Sequence, residues 1–337
     1  MIENTMKEVL LATLELDLKK TIERIDRDQY PLLVSMMAYH LGWEGENAGP
    51  KATGKRLRPQ LVLLTCSAAG GDWEVALPAA VAVELIHNFS LLHDDIEDRS
   101  PLRRGRPTVW KKWGIPQAIN TGDAMFSLAH LSMLELEKTT SIKVSLDASK
   151  IIQNACLALT KGQFLDISYE DKDEISIDDY WLMIGGKTAA LISTCTELGA
   201  LISGAKQDIV ENYCTFGYNL GLAFQVLDDL LGIWGDSFKI GKSNTSDLVT
   251  RKKTLPILYG LQNNQAFADR WKQGKIEPDE VADIARQLEA EGARSYTKEA
   301  ANRLTQTALE SFYKAKPSGE AGEILEELTN SLLNRKK

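Results

Sequence analysis

The sequence predicts an all-α fold, and the spacing of its apolar residues carries that prediction. Over most of the chain, apolar residues recur three and four positions apart, which places them on one face of an α-helix. The apolar–polar alternation that is typical of half-buried strands is nearly absent. Because no repeat, low-complexity tract or linker divides the chain, we predict a single helical domain over residues 1–337.

The individual elements follow from this periodicity and from the positions of proline and glycine. Glycine and proline indicate loops at 43–53 and 99–107, and a glycine-containing polar segment indicates a third loop at 235–251. Pro59 is acceptable as an early helix residue. The predicted helices are 3–29, 60–69, 79–98, 117–138, 147–170, 178–203, 206–234, 255–263 and most of 277–334.

Composition and charge exclude several classes of protein. Apolar residues make up 44% of the chain and charged residues 26%, which excludes a chain that is disordered along its length. The chain has 39 Lys and Arg against 47 Asp and Glu, a net charge of −8 and a pI near 5.3. Phosphate backbones select basic surfaces, so we expect no nucleic-acid partner.

The sequence also indicates a cytoplasmic protein without stable membrane insertion. The N-terminal residues are polar and lack the apolar core of a signal peptide. The most apolar stretch, 79–92, is interrupted by Glu84, His87 and Asn88, so it is a poor membrane span. No CxxC pair exists, and we interpret all four cysteines as reduced core residues: Cys66, Cys156, Cys195 and Cys214.

The first candidate site is an acidic run at the end of an apolar helix. Asp94 and Asp98 are four residues apart and share a helix face, with Asp95 beside them. Like charges at this spacing, near the negative end of the helix dipole, destabilise the helix. A divalent cation would relieve that repulsion, and Mg²⁺ binds one or two carboxylates together with substrate phosphates. The alternative is a solvated acidic helix end.

A second acidic pair, Asp228 and Asp229, repeats the pattern far along the chain. It also follows a long apolar stretch and precedes a glycine-containing break. Adjacent carboxylates in such a setting are costly unless they are paired or bound to metal. Two such sites on separate apolar helices predict helices that face each other in a bundle, with the acids converging on Mg²⁺ ions and a polyphosphate. The alternative is two unrelated helix ends.

Cationic residues lie beside these motifs and beside glycines, where a polyphosphate would need them. Arg offers bidentate contacts to phosphate oxygens, and Lys offers a point charge. Taken singly, each is also an ordinary surface cation. His87, two helical turns before Asp94, is either a packed neutral histidine or a phosphate contact. The cationic candidates are Lys55, Arg56, Arg58, Arg103, Arg104, Lys187, Lys242 and the run 251–253.

In combination, the motifs of residues 50–260 resemble the trans-isoprenyl diphosphate synthases, also called polyprenyl synthetases. The resemblance implies an isoprenoid synthase bundle around a central apolar cavity, and a homodimer. The matching elements are Gly54-Lys55-Arg56-Leu57-Arg58-Pro59, Asp94-Asp95-Ile96-Glu97-Asp98 with Arg103-Arg104-Gly105, Gly162-Gln163-Phe164-Leu165-Asp166, Lys187-Thr188, Phe224 to Asp229, Gly241-Lys242, Ser246-Asp247-Leu248 and Lys252-Lys253-Thr254-Leu255-Pro256.

The resemblance implies a reaction and assigns roles in it. The reaction is the 1'-4 condensation of isopentenyl diphosphate (IPP) with an allylic diphosphate, assisted by a cluster of three Mg²⁺ ions on Asp94, Asp98 and Asp228, with Asp95 and Asp229 in support. Thr188 and Gln225 flank the allylic cation, and the released diphosphate takes the proton. The allylic diphosphate is balanced by Arg103, Lys187, Lys242 and Lys252, and IPP is held by Lys55, Arg58, His87 and Arg104.

The chain departs from the family pattern at its second acidic motif. The family commonly has a further Asp four residues after the first one, and here that position is Gly232. This departure leaves Asp228 in place and puts only the last carboxylate in question.

Product length is expected to depend on Phe89 and Ser90, five and four residues before Asp94. An aromatic ring one helical turn deeper than the acidic motif would form a floor for the growing tail, although Phe89 is equally an ordinary core residue. By resemblance, a large residue at the fifth position and a small one at the fourth indicate geranylgeranyl diphosphate (C20), with farnesyl diphosphate (C15) as the near alternative.

Two other functions compete with this one. A class I terpene cyclase or a head-to-head synthase would share the acidic motifs, but a cyclase needs no IPP site. A non-catalytic partner subunit of a heteromeric synthase would be expected to lose aspartates, and this chain retains all five: Asp94, Asp95, Asp98, Asp228 and Asp229.

Overall fold

Helices make up nearly all the regular structure of the computed structural model, which describes residues 5–170, 172, 174–235 and 246–333. The only strands among these residues form a two-stranded hairpin, β1 (Leu102–Arg103) and β2 (Arg106–Pro107). The prediction of an all-α protein is therefore confirmed.

The helices before residue 171 are labelled in chain order. Short 3₁₀ turns at Trp73–Ala76 and Glu135–Lys138 accompany them. The helices are α1 (Met6–Ile22), α2 (Pro31–His40), α3 (Pro50–Thr53), α4 (Leu57–Ala68), α5 (Leu77–Glu97), α6 (Val109–Trp113), α7 (Ile115–Leu134) and α8 (Ile142–Glu170).

The remaining helices complete the described chain. A π-helical turn, Gly185–Ala189, joins the first two of them. They are α9 (Ile177–Ile184), α10 (Ala190–Ile202), α11 (Gln207–Trp234), α12 (Asp247–Thr250), α13 (Leu255–Asn263), α14 (Ala266–Lys272), α15 (Val281–Ala290), α16 (Ala293–Lys314) and α17 (Gly319–Leu333).

The chain divides into two compact units. The first comprises Met1–Gln153, Cys195–Val210 and Pro317–Leu325, and the second comprises Asn154–Thr194, Glu211–Lys316 and Glu326–Lys337. The single domain predicted from sequence stays a prediction.

The first unit is built around α5. Pro78 lies in the first turn of α5, where a missing backbone N–H costs nothing, and the helix buries apolar residues on most of its circumference. It packs against α4 and α7. By length and composition the segment Trp73–Glu97 is the one described helix that could cross a membrane, but 61% of its most apolar window is buried inside the protein. That burial is typical of a core helix.

The second unit contains two apolar cores. One collects residues of α9, α11, α13 and α16, including Tyr180, Val226 and Leu258. The other lies beneath α14 and α15 and includes Phe267 and Trp271. No disulfide joins any of the four cysteines, all of which lie among the described residues, and three of them are buried.

The loops predicted at 43–53 and 235–251 contain the one-turn helices α3 and α12, and three further predicted elements differ from the structure for local reasons. The helix predicted over 3–29 ends at Ile22, because the Asp26 carboxylate accepts the backbone N–H groups of Asp28 and Gln29 in a turn that competes with a helix. The helix predicted over most of 277–334 is three helices, broken at Gly292 and before Gly319, both with positive φ. The loop predicted at 99–107 contains the β1–β2 hairpin.

Candidate active site

The first acidic motif lies at the C-terminal end of α5. Asp95 is 2% exposed, whereas Asp94 is half-buried and Asp98, the C-cap residue, is exposed. The two residues four apart therefore present their carboxylates on the accessible side of the helix, while the residue between them turns inward.

Asp95 is tied to the hairpin rather than open to solvent. The Arg103 guanidinium donates to both carboxylate oxygens, with Nε at 2.9 and 3.0 Å and Nη2 at 2.9 Å. Burial raises the pKa of Asp95, and the contact with Arg103 lowers it by less, so its pKa lies above the usual range. Asp95 thus fixes Arg103 beside the acidic motif.

The hairpin turn consists of Arg104 and Gly105, both with positive φ (52° and 74°). Positive φ at both central positions is the geometry of the tight hairpin turn that matches strand twist, and it is unusual for an arginine. Nη1 of Arg104 donates to the Ala52 carbonyl at 2.6 Å. A Cβ atom on Gly54 would lie 2.8 Å from Cζ of Arg104, so this glycine permits the close approach.

Arg56, the middle cation of the Gly54–Pro59 segment, is a structural residue. It is 5% exposed, and it pairs with Glu84 (Nη1–Oε1, 2.8 Å) and Glu15 (Nε–Oε1, 2.7 Å). Asn88 donates to the same Glu84 oxygen at 2.8 Å. This network holds the start of α4 against α5 and leaves Lys55 exposed at the surface.

Arg58 and His87 contact each other directly, with Nη1 3.1 Å from Nε2. An arginine can only donate, so Nε2 of His87 accepts and Nδ1 carries the proton. Burial lowers the pKa of His87 well below its usual range, and the positive charges of Arg58, Arg104 and Arg103 lower it further. His87 is therefore neutral, with an N–H group to offer and no charge of its own.

Phe89 belongs to a layer of aromatic rings between α5 and α7. Its ring lies 4.7 Å from that of Phe126 and 4.8 Å from that of His93, centroid to centroid. His93 packs against Gly122 of α7, so it lies in this layer. The Ser90 hydroxyl donates to the His87 carbonyl of its own helix at 2.8 Å.

In the second unit, Lys187 and Thr188 lie within the π-helical turn. Such turns widen a helix by one residue and are frequent at functional sites. Gly162 of α8 is in close contact with this turn, since a Cβ atom there would lie 2.1 Å from the Lys187 backbone nitrogen. Lys187 is paired with Asp166, one turn further along α8.

A chain of hydrogen bonds runs from Thr188 into the interior of the second unit. The Thr188 hydroxyl donates to Oε1 of Gln225 at 2.9 Å, and Nε2 of Gln225 donates to Oδ1 of Asp229 at 3.0 Å. The Tyr180 hydroxyl at 2.6 Å and the Leu255 backbone N–H at 3.1 Å donate to Oδ2 of Asp229. Burial raises the pKa of Asp229, and these donors only partly offset it.

Asp228 differs from its neighbour in being exposed. Partial desolvation lowers the pKa of Lys252, but the carboxylates of Asp166, Asp229, Asp247 and Asp228 raise it overall, so this lysine stays charged beside the motif. Lys242, the other predicted cation here, lies outside the described residues.

At position 232, where the family commonly has an aspartate, this chain has a glycine, and the side chain of Asp247 lies against it. A Cβ atom on Gly232 would lie 2.1 Å from Oδ2 of Asp247. Burial, together with the nearby charges of Asp229 and Asp228, raises the pKa of Asp247 to about 7. The carboxylate of Asp247 thus occupies the space that a side chain at position 232 would need.

The predicted site residues are therefore gathered in two sets, one in each unit. Sequence reasoning overlooked Glu84, Tyr180 and the contribution of Asp247. Glu84 carried a signal, as a charged residue inside the most apolar helix. Tyr180 carried none, because nothing in the sequence relates it to a residue 49 positions away.

The donor chemistry of these sets suits Mg²⁺. Asp94, Asp98 and Asp228 offer hard carboxylate oxygens at accessible helix positions, which Mg²⁺ prefers. Within the described residues, no three or more His, Cys, Asp or Glu side chains are already grouped as a metal site.

Comparison with known proteins identifies the family. The sequence profile of the polyprenyl synthetase family matches residues 47–288. A (2E,6E)-farnesyl diphosphate synthase of Mycobacterium tuberculosis is 36% identical over 94% of this chain and 89% of its own length. A geranylgeranyl diphosphate synthase of the same organism is 41% identical over 78% of this chain and 79% of its own.

Solved structures agree with these matches. A polyprenyl synthetase from Streptomyces coelicolor A3(2) has a TM-score of 0.84 and 36% identity, covering 95% of this chain and 96% of that one. A geranylgeranyl pyrophosphate synthetase from Pyrococcus horikoshii has a TM-score of 0.86 and 32% identity, covering 98% and 100%. The chain belongs to the polyprenyl synthetase family, and it is an enzyme of the short-chain trans-isoprenyl diphosphate synthase type.

Proposed function

We propose that the enzyme condenses IPP with allylic diphosphates, 1'-4 and in trans, and that its main product is geranylgeranyl diphosphate. The observation that carries the proposal is the cationic cluster of the first unit, in which Arg58 touches His87 and Arg104 lies against Gly54. A second diphosphate-binding site beside an acidic motif is what a condensing enzyme needs and a cyclase does not.

IPP would bind this cationic cluster. Lys55 is exposed, and Arg58, His87 and Arg104 come from three different elements of one unit. Because Nε2 of His87 already accepts from Arg58, its Nδ1–H is the group that would donate to a diphosphate oxygen. Neutral His87 can serve as such a donor without a protonation step.

The allylic diphosphate would bind the accessible carboxylates through Mg²⁺. As the resemblance to the family implies, Asp94, Asp98 and Asp228 would hold three Mg²⁺ ions, and Mg²⁺ supplies electrostatic stabilisation of a departing diphosphate when it is bound. Asp95 is committed to Arg103 and Asp229 to its three donors, so we assign neither as a direct ligand.

The chain's own residues would favour ionisation of the allylic C–O bond. Arg103, Lys187, Lys242 and Lys252 would balance the negative charge that develops on the leaving oxygen. The oxygens of Thr188 and Gln225 would flank the allylic cation. The double bond of IPP attacks C1 of that cation, a carbon–carbon bond forms, and the departed diphosphate removes the proton that restores the double bond.

Product length would be limited by the aromatic layer of Phe89 and Phe126, one helical turn deeper than Asp94. The farnesyl product remains the second candidate, and it is favoured by the farnesyl diphosphate synthase that matches 94% of this chain. The two candidates differ by one condensation at the same site.

A product assay tests the proposal. The purified protein is incubated with Mg²⁺, labelled IPP and, in turn, dimethylallyl, geranyl and farnesyl diphosphate, and the products are separated by chromatography. We expect a C20 product from all three. A C15 limit would favour the farnesyl synthase. Diphosphate release without consumption of IPP would indicate a cyclase, and no release with any allylic substrate would indicate a non-catalytic subunit.

We further propose a cytoplasmic homodimer that binds no nucleic acid and inserts into no membrane. The four free cysteines suit a reducing compartment. Large apolar side chains are exposed along α8, and a second copy of the chain would cover them: Ile142 (80%), Leu146 (55%), Leu157 (54%) and Phe164 (68%).

A further inference from the structure

The hydrogen bonds behind Thr188 have a fixed direction. Asp229 lies in the middle of this series of hydrogen bonds. Its two carboxylate oxygens accept three hydrogen bonds, from Tyr180, Leu255 and Gln225. A carboxylate in this position only accepts, so it must face the NH₂ group of the Gln225 amide. The carbonyl oxygen of that amide then faces Thr188. Because this oxygen only accepts, the Thr188 hydroxyl must donate to it.

The direction of these hydrogen bonds determines what the Thr188 hydroxyl, at the other end of the series, can offer to a ligand. The Thr188 hydroxyl has one hydrogen, and that hydrogen is directed inward to Gln225. The oxygen therefore turns its lone pairs, and no hydrogen, toward any ligand that approaches from outside. An oxygen that presents only lone pairs stabilises a positive charge, whereas a hydroxyl hydrogen directed outward would stabilise a negative one.

We propose that Tyr180 and Asp229 are positioning residues that fix the polarity of Gln225 and Thr188, so that Thr188 offers lone pairs to the allylic cation. This inference rests on the proposed prenyl transfer and adds two roles to it. Asp229 acts through hydrogen bonds and not as a metal ligand, and Tyr180, 49 residues away in sequence, orients Asp229.

The surroundings of Asp229 explain why its orientation is held so firmly. Its carboxylate accepts the N–H of Leu255, the first residue of α13, and so stabilises the positive end of that helix. Tyr180 is 1% exposed and Asp229 3% exposed, so water does not compete for these bonds. Both neighbours hold the Oδ2 side, which leaves Oδ1 for Gln225 alone.

Asp229→Asn tests the direction of these hydrogen bonds, because it keeps the size of the side chain and replaces one accepting oxygen by a donating NH₂ group. Tyr180 and Leu255 both donate, so the Asn carbonyl must stay toward them and its NH₂ group must face Gln225. The Gln225 amide then has to turn over and donate to Thr188. We expect kcat to fall about 10²-fold, as for loss of one group that stabilises a transition-state charge, with KM for IPP unchanged.

Two comparisons separate positioning from metal binding. The Mg²⁺ concentration for half-maximal activity should be unchanged in Asp229→Asn and raised in Asp228→Asn. In a Thr188→Val background, which lacks the hydroxyl, Asp229→Asn should lower kcat by less than about threefold, because coupled residues are not additive.

The tyrosine is tested with a matched control. Tyr180→Phe should lower kcat about 10-fold, as expected for loss of one buried hydrogen bond, and Tyr213→Phe, another fully buried tyrosine of the same unit, should leave kcat unchanged. Thermal unfolding of each variant reports whether the fold is kept.

Three results would overturn the inference: a raised Mg²⁺ requirement in Asp229→Asn, additive losses in the Thr188→Val background, or equal losses in the two Phe variants. If instead the unmodified enzyme consumed no IPP, the proposed function itself would be wrong. The two failures are therefore distinguishable.

Discussion

Neighbouring aspartates in each acidic motif have opposite surroundings. Successive residues on an α-helix point about 100° apart, so one carboxylate of a pair can face solvent while the next faces the core. Asp94 is half-buried and Asp228 is exposed, whereas Asp95 and Asp229 are 2% and 3% exposed. In each pair the first carboxylate reaches solvent, whereas the second is held by hydrogen bonds in the protein interior.

Asp94→Ala is expected to remove activity without removing the fold. Its carboxylate is proposed to bind Mg²⁺, so turnover should fall by about 10³-fold, or roughly 4 kcal/mol of transition-state stabilisation. The midpoint of thermal unfolding should stay close to that of the unmodified protein. Steady-state kinetics and calorimetry check the two halves of the prediction.

Asp95→Ala is the matched comparison, because it removes a buried carboxylate and leaves the half-buried Arg103 without its partner. It should lower both stability and activity. Full turnover in Asp94→Ala would remove Asp94 from the set of metal ligands.

The residue types of the site could be predicted from sequence, but their partners could not. The acidic motifs are visible in the sequence as like charges at the ends of apolar helices, which makes Asp94 and Asp228 candidates, and Lys187 is a candidate because it follows two glycines. The partner of Asp229 is a tyrosine on another helix, and the residue beside Gly232 is Asp247. Those contacts depend on how helices pack, which the spacing of residues within one helix does not encode.

At the scale of elements, α5 and α7 pack together through aromatic rings that we propose limit the length of the product. The rings of Phe89 and Phe126 lie between these helices, and Phe126 also contacts His130 at 4.3 Å. The ring layer is closed on one side by His93, which fits only because position 122 is glycine.

Phe89→Ala is expected to lengthen the products. Removing the ring opens space beneath the acidic motif, and a longer tail would partly refill it. Phe89 is half-buried, so stability should fall by less than the roughly 3–5 kcal/mol of a fully buried Phe→Ala change. Chromatography of the products gives the readout.

Phe126→Ala should lengthen the products in the same direction, since the two rings touch. Phe312→Ala, a buried aromatic of the second unit, is the control for general loss of packing. If Phe89→Ala and the unmodified enzyme yielded the same product distribution, Phe89 would be an ordinary core residue.

Element type was easier to predict than element boundaries. The helices predicted over 79–98, 206–234 and 255–263 agree closely with α5, α11 and α13, because each has long apolar periodicity between clear breaks. The β1–β2 hairpin was missed because its turn places an arginine at positive φ. The π-helical turn was missed because its one extra residue leaves the apolar spacing almost unchanged.

At the scale of the whole molecule, assembly and pH response are the properties to test. The exposed apolar residues of α8 are spaced so that Leu146, Leu157 and Phe164 recur at multiples near a helical turn. Scattered single apolar residues need no partner, but several on one helix face indicate a covered surface.

The double change Leu157→Asp and Phe164→Asp should convert the dimer to a monomer. Two desolvated charges at an apolar interface would each cost several kcal/mol, more than a marginal interface can lose. Sedimentation velocity measures the mass, and Lys298→Asp, a charge reversal at an exposed position of α16, is the control. A protein that sediments as a monomer before any substitution would contradict the homodimer.

Stability should respond to acid in a way that His40 controls. Burial lowers the pKa of His40 from 6.5 to about 3, and the charges of Arg103, Arg104, Arg56 and Arg106 contribute. Below pH 6.5, His40 is protonated in the unfolded chain but stays neutral in the folded one. The free energy of unfolding therefore decreases as pH falls, by about 1.4 kcal/mol per pH unit.

Asp247 changes the stability with pH in the opposite direction. Its pKa is about 7 in the folded protein and 3.8 otherwise, so its contribution weakens as pH rises between those values. The contribution of Asp247 is the same in a His40 variant and in the unmodified protein, so it cancels when the two are compared. Relative to the unmodified protein, His40→Gln should gain about 2 kcal/mol between pH 7 and pH 5, measured by urea unfolding. No relative gain would mean that His40 takes up a proton in the folded state.

The π-helical turn at Gly185–Ala189 has a consequence for how this protein tolerates change. It accommodates one residue more than an α-helical turn, between a rigid helix before it and another after it. Deleting a single residue there would let the two helices merge into a continuous α-helix, and everything downstream would rotate by about 100° relative to everything upstream. Thr188 would then lose its alignment with Gln225. A one-residue length change in this turn is therefore more harmful than most substitutions around it, and homologous chains should keep the residue count of this turn unchanged.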